Sequence, residues 1–163
     1  MELMISSKGS KYIVEDKEQK RIIYTVKKKG FGAGRYLLMD PSNYQLYSLV
    51  QTSADRKPSF IIGHNDSTIM QLVCTSLFLE PSISVTGKDI QGVEAKYSIA
   101  SKDHRNFDIL KDDVKCGTLR TNNTVSNELQ YDLDIDNKVF DDYIPLFVIA
   151  VDLTFGDINR NNS

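Results

Sequence analysis

Apolar and polar residues alternate along most of this chain. Tyr12–Glu15, Arg21–Val26, Arg35–Asp40, Gln45–Thr52, Ser59–Gly63 and Thr68–Cys74 are short runs rich in β-branched and aromatic residues. Ile83–Thr86, Gly92–Ile99, Phe107–Lys111, Val114–Leu119 and Gln130–Asp136 continue the series. A period of two buries one face of an extended chain and wets the other, so each run predicts a β-strand. Asp16-Lys17-Glu18-Gln19, Asp40-Pro41-Ser42-Asn43, His64-Asn65-Asp66 and Lys111-Asp112-Asp113 separate them, and their Asp, Asn and Ser side chains suit tight turns because they bond nearby backbone. About a dozen strands at roughly 8–12-residue spacing predict an antiparallel sandwich or barrel.

From Asp141 to Phe155 the pattern changes. The segment Asp-Asp-Tyr-Ile-Pro-Leu-Phe-Val-Ile-Ala-Val-Asp-Leu-Thr-Phe, followed by Gly156, predicts a helix with Asp141 as N-cap, Pro145 in the first turn and Gly156 at the C′ position. It is apolar on nearly every side, which a surface helix is not. At about 15 residues, roughly 22 Å, it falls short of the about 20 apolar residues that span a bilayer. Asp152 interrupts it further. What remains is a helix buried inside the protein's own sheet. Closure removes exposed sheet edges, and a barrel of so many strands leaves a lumen that its own side chains cannot fill. Asp152 must then reach the barrel mouth or bond to strand-end groups, because a buried carboxylate needs partners.

Composition narrows the class. The 163 residues carry 20 Lys+Arg against 22 Asp+Glu, with 40% hydrophobic residues, 26% charged residues, two histidines, two cysteines and no tryptophan. This suits one domain over 1–158 with a polar, frayed tail over 159–163, and it excludes a strongly basic nucleic-acid binder, a disulfide scaffold and a multi-pass membrane protein. The opening Met1-Glu2-Leu3-Met4-Ile5-Ser6 lacks the basic and apolar regions of a secretory signal, so the expected location is cytoplasmic. Cys74 and Cys116 fit no paired metal spacing and read as buried free thiols.

The order of these runs resembles the tubby C-terminal-like superfamily, in particular its LURP-one-related branch in the bacterial form. The resemblance rests on Tyr12–Asp16, Ile22–Lys27, Arg35–Asp40 with Leu46, Pro58–Ile62, Phe107–Asp112 with Val114, Leu129–Asp136, and above all Asp141-Asp142-Tyr143 leading into Leu146–Asp152. It implies a mainly β fold: a closed antiparallel barrel of about twelve strands around a buried C-terminal hydrophobic helix. Glu18-Gln19 and Ser42-Asn43 depart from the branch's usual turn residues. Tubby proteins are associated with phosphoinositide binding through basic residues on the barrel wall, but no specific basic pair aligns here. The superfamily also holds the phospholipid scramblases. Asp132-Leu133-Asp134-Ile135 is similar to their run before the helix, whereas their more continuous membrane-associated segment is missing.

Candidate chemistry is sparse. Residues 1–36 hold nine basic and four acidic groups, and residues 101–163 hold seven and twelve. The densest basic group is Lys27-Lys28-Lys29, followed by Gly30, Gly32, Gly34 and Arg35. Ammoniums and backbone N–H groups in such a loop can converge on a phosphate head group; otherwise the lysines guard a solvated hairpin. The glycine spacing fits neither a Rossmann fingerprint nor a P-loop. Asp132, Asp134 and Asp136 begin like a calcium loop, but Asn137 and Tyr143 stand where Gly and Glu are needed, so alternation explains them better. His64 and His104 read as surface loop residues without catalytic company.

The expected function is a non-enzymatic binding or scaffold domain, peripheral at a membrane surface. Lys27, Lys28, Lys29 and Arg35 are the candidate contacts to an anionic phospholipid, with a protein partner as the other candidate. No catalytic residue, cofactor or metal is expected. The alternatives are a small-ligand carrier or enzyme with a cleft at the barrel mouth, and a scramblase-like lipid-associated protein.

Overall fold

The computed structural model describes residues 1–31, 34–124, 126 and 128–161. Twelve strands follow one another as antiparallel neighbours: β1 (Glu2–Lys8), β2 (Lys11–Asp16), β3 (Arg21–Lys29), β4 (Arg35–Met39), β5 (Gln45–Ser53), β6 (Ser59–His64), β7 (Ser67–Ser76), β8 (Ser82–Lys88), β9 (Glu94–Ser101), β10 (Asn106–Lys111), β11 (Val114–Asn123) and β12 (Leu129–Ile135). β12 pairs with β1, with Leu3 opposite Leu133, and closes the barrel. One helix, α1 (Pro145–Asn161), ends the described chain. The expected barrel and helix are therefore both present. β1 is the strand that the alternation did not reveal, because only Leu3 and Ile5 mark its buried face before Ser6 and Ser7.

The inward positions of the strands and the whole girth of α1 form one core. Ile5, Val14, Val26, Leu38, Leu49 and Ile62 are fully buried on the wall side, as are Ile144, Leu146, Val148 and Val151 on the plug. Each large apolar side chain so buried stabilises the fold by about 1.5–3 kcal/mol. Phe147 packs edge-on against Tyr97 of β9 at 5.0 Å between ring centroids, and Phe155 lies 5.6 Å from Phe107 of β10. These contacts to β9 and β10, with Tyr12 of β2 bonded to Asp152 on the far side, place α1 in the lumen.

The helix limits differ from those expected. Asp141 does not cap α1. Its carbonyl accepts from Ile144 N at 3.0 Å and its side chain from Asp142 N at 2.8 Å, which makes a separate turn before Pro145. Pro145 then opens the helix at the position where a missing N–H is cheapest. Gly156 does not stop it either; α1 continues to Asn161, past the point where the polar tail was expected to begin. Asn159 is 2% exposed and its amide donates to His104 O at 2.8 Å, tying the helix end to the β9–β10 turn. Ser163 lies outside the described residues.

Tyrosine hydroxyls fix the plug at its start and at its middle. At the start of α1, Tyr143 bonds Tyr97 at 2.8 Å and Tyr24 donates to Asp142. At its middle, Tyr12 and Tyr131 donate to Asp152. Because neighbouring strands run in opposite directions, successive hairpins alternate between two rims. We call the rim where α1 begins the lower rim and the rim where it ends the upper rim.

Candidate functional site

The outer wall of β1–β4 gathers basic side chains near the upper rim. Inward residues alternate with outward ones, so Lys8, Lys11, Lys27, Lys29 and Arg35 share the outer face. The register sets Lys8 opposite Lys11, Lys11 opposite Lys27, and Lys29 opposite Arg35. Like charges directly opposite across a ladder destabilise it. Among the described residues none of these five forms a salt bridge. Lys27 is half-buried and the other four are exposed. This wall is thus a concentration of uncompensated positive charge.

Of the four residues singled out by sequence, three join this patch and one does not. Lys28 has the parity of the inward residues and stands opposite Tyr36 at the barrel mouth. Its side chain lies along Gly34, where an added Cβ would meet Lys28 Cε at 2.7 Å; φ there is +70°, a conformation suited to glycine. Gly32 lies outside the described residues. Phe31, at the hairpin tip, is fully exposed. Gly30 and Gly34 lie between two strands, consistent with the rejection of a nucleotide loop, which needs a helix N-terminus. Lys8 and Lys11 escaped the sequence reading because they belong to another hairpin, and only strand pairing brings them to Lys27.

The charge separates by rim. The loops of the upper rim with their flanking strand ends (8–11, 28–35, 54–58, 77–81, 102–105 and 124–128) hold nine basic and four acidic residues. Those of the lower rim (16–21, 40–44, 65–66, 88–94, 111–114 and 136–144) hold six and eleven. Turn chemistry is part of the cause: Asp16, Asp40 and Asp89 each accept two backbone N–H bonds in lower-rim turns. On the upper rim, Asp103 is engaged the same way. The Asn106 N–H, with the Asn106 side chain and the Arg105 N–H, holds its carboxyl well below the usual carboxylate range.

Asp152 bonds the wall, as a buried carboxylate must. Its oxygens accept from Tyr12 at 2.5 Å, Tyr131 at 2.7 Å and Arg160 at 3.2 Å. Burial first, then the Asp152 charge and the hydrogen bond, push both tyrosine hydroxyls far above their ordinary pKa. They remain donors, and the group is a structural lock. Asp132 and Asp134 face outward while Tyr131, Leu133 and Ile135 face inward, and Lys17 and Arg120 flank Asp132. Cys74 and Cys116 are buried free thiols. The two histidines are more enclosed than expected: His64 is half-buried at the end of β6 against Tyr47, with Nδ1 3.1 Å from Leu46 O, and His104 is half-buried under the helix end. One groove of about 800 Å³ runs between the β5–β6 and β7–β8 loops, and another of about 690 Å³ lies at the lower rim beside Tyr24, Phe140 and Asp142. Among the described residues no helix is long and apolar enough to cross a membrane.

A closed twelve-stranded barrel plugged by its C-terminal helix defines a tubby-like domain. Residues 1–152 match the LURP-one-related family model, and the chain belongs to that family. No curated protein matches it.

Proposed function

We propose that the protein is a non-enzymatic binding domain that attaches to anionic lipid head groups at a membrane surface through the β1–β4 wall. The reading rests on the three like-charged cross-strand pairs, Lys8–Lys11, Lys11–Lys27 and Lys29–Arg35, which lack acidic partners among the described residues. A phosphate seated over them relieves the repulsion and gains charge-assisted hydrogen bonds. Each basic residue near an anionic surface is worth about 1 kcal/mol, and salt weakens the attraction.

Co-sedimentation with phosphoinositide-containing vesicles at two salt concentrations tests this. Binding is expected at low salt, weakened at high salt, and reduced about a hundredfold by Lys11→Ala, Lys27→Ala and Lys29→Ala together. Absent binding at low salt, or binding unchanged in the triple variant, sinks the proposal.

A further inference from the structure

The rim above the basic wall carries a second feature that head-group attraction leaves unexplained. Three apolar side chains project from it into solvent: Phe31 from the β3–β4 hairpin, 103% exposed, and Phe78 and Leu79 from the β7–β8 loop, 56% and 86% exposed. Between these hairpins in the rim order lies the β5–β6 loop with Arg56 and Lys57. The groove of about 800 Å³ is lined on one side by Arg56, Lys57 and Asp55 and on the other by Leu77, Phe78 and Leu79. Exposed apolar side chains cost solvation unless something covers them, and a cluster of them marks an interaction surface.

Charge decides what covers them. Arg56 and Lys57 form no salt bridge among the described residues, and over the rim as a total nine basic residues outnumber four acidic ones, which include Asp55 in the groove and Glu80 next to Leu79. The lower rim also exposes Tyr44, Ile90, Val93 and Val114, but among Asp40, Asp89, Asp112 and Asp113. An anionic surface therefore attracts one end of the barrel and repels the other. Apolar tips on a net basic rim match the bilayer interface, where anionic head groups overlie hydrocarbon; a soluble phosphate satisfies the cations and leaves Phe31, Phe78 and Leu79 uncovered.

We infer that the upper rim docks end-on to an anionic bilayer, with Phe31, Phe78 and Leu79 inserted below the head groups and Arg56 and Lys57 on lipid phosphates. This rests on the head-group reading above and adds an orientation and an insertion step to it. The three tips are exposed, so replacing them removes no core packing.

The chain has no tryptophan, so Phe31→Trp and Leu79→Trp each supply a single reporter. Phosphatidylcholine vesicles with and without phosphatidylserine, and a set with brominated acyl chains, are the probes. The expected result is a blue shift of both reporters on anionic vesicles only, with quenching by brominated chains. Phe31→Ser, Phe78→Ser and Leu79→Ser together should weaken vesicle binding about tenfold or more. Salt-sensitive binding with unshifted reporters and an unweakened triple variant overturns end-on insertion and leaves the head-group reading standing. No binding at low salt overturns both. A blue shift without vesicles, with a larger particle by light scattering, overturns it too, since the rim then meets the acidic rim of a second copy.

Discussion

At the scale of single residues, Asp152 shows what burial demands of a charge. It is 6% exposed within the apolar stretch 146–153 of α1, and three donors surround it. The anomaly was legible in the sequence as a carboxylate among Ala150, Val151 and Leu153. Its partners were not: Tyr12 lies 140 positions away, and Arg160 fell in a segment read as a polar tail. Asp152→Ala leaves two buried hydroxyls without an acceptor and Arg160 without this carboxylate. It should lower stability by about 3 kcal/mol in denaturant titration, and Asp152→Asn, which keeps an acceptor, should lose less.

At the scale of elements, α1 and the β3–β4 hairpin contrast. The helix was readable because its apolar girth admits one environment, yet both its limits were misplaced. Asp141 has the right side chain for a cap but closes a turn of its own, and Gly156 is mid-helix for a spatial reason. A Cβ at Gly156 would stand 2.7 Å from Asp152 Oδ1 and 3.0 Å from Arg160 Nη1. In an ordinary helix Gly→Ala gains about 1 kcal/mol. Here Gly156→Ala should instead lower the melting temperature by displacing Arg160 from Asp152, while in Asp152→Ala the same change should recover much of the propensity gain. The hairpin had a visible basic cluster, but not which lysine faces where. Register puts Lys28 at the mouth and leaves Lys27 and Lys29 on the wall.

At the scale of the whole molecule, closure depends on β1, which carries two ladders at once, to β2 and to β12. A chain lacking residues 1–8 exposes both neighbouring edges and uncovers one side of the plug. It should lose the cooperative thermal transition and sediment as aggregate, whereas a loss of only a few degrees would show that the remaining strands close without it. Closure also reorganises charge. The sequence shows a basic start and an acidic end, but the barrel sorts charge by rim, since alternate hairpins of one chain half go to opposite ends.

The sequence by itself determined that this chain forms strands with one buried helix, because periodicity and an all-round apolar segment are local properties that solvent enforces directly. It determined that Asp152 needs partners and that Lys27–Lys29 and Arg35 concentrate charge. Only the tertiary structure decided which residues satisfy Asp152, that Lys8 and Lys11 extend the basic wall, and that Phe31 shares a rim with Phe78 and Leu79. Each of those is a meeting of positions far apart in the chain, and strand register and barrel closure, rather than local preference, set which positions meet.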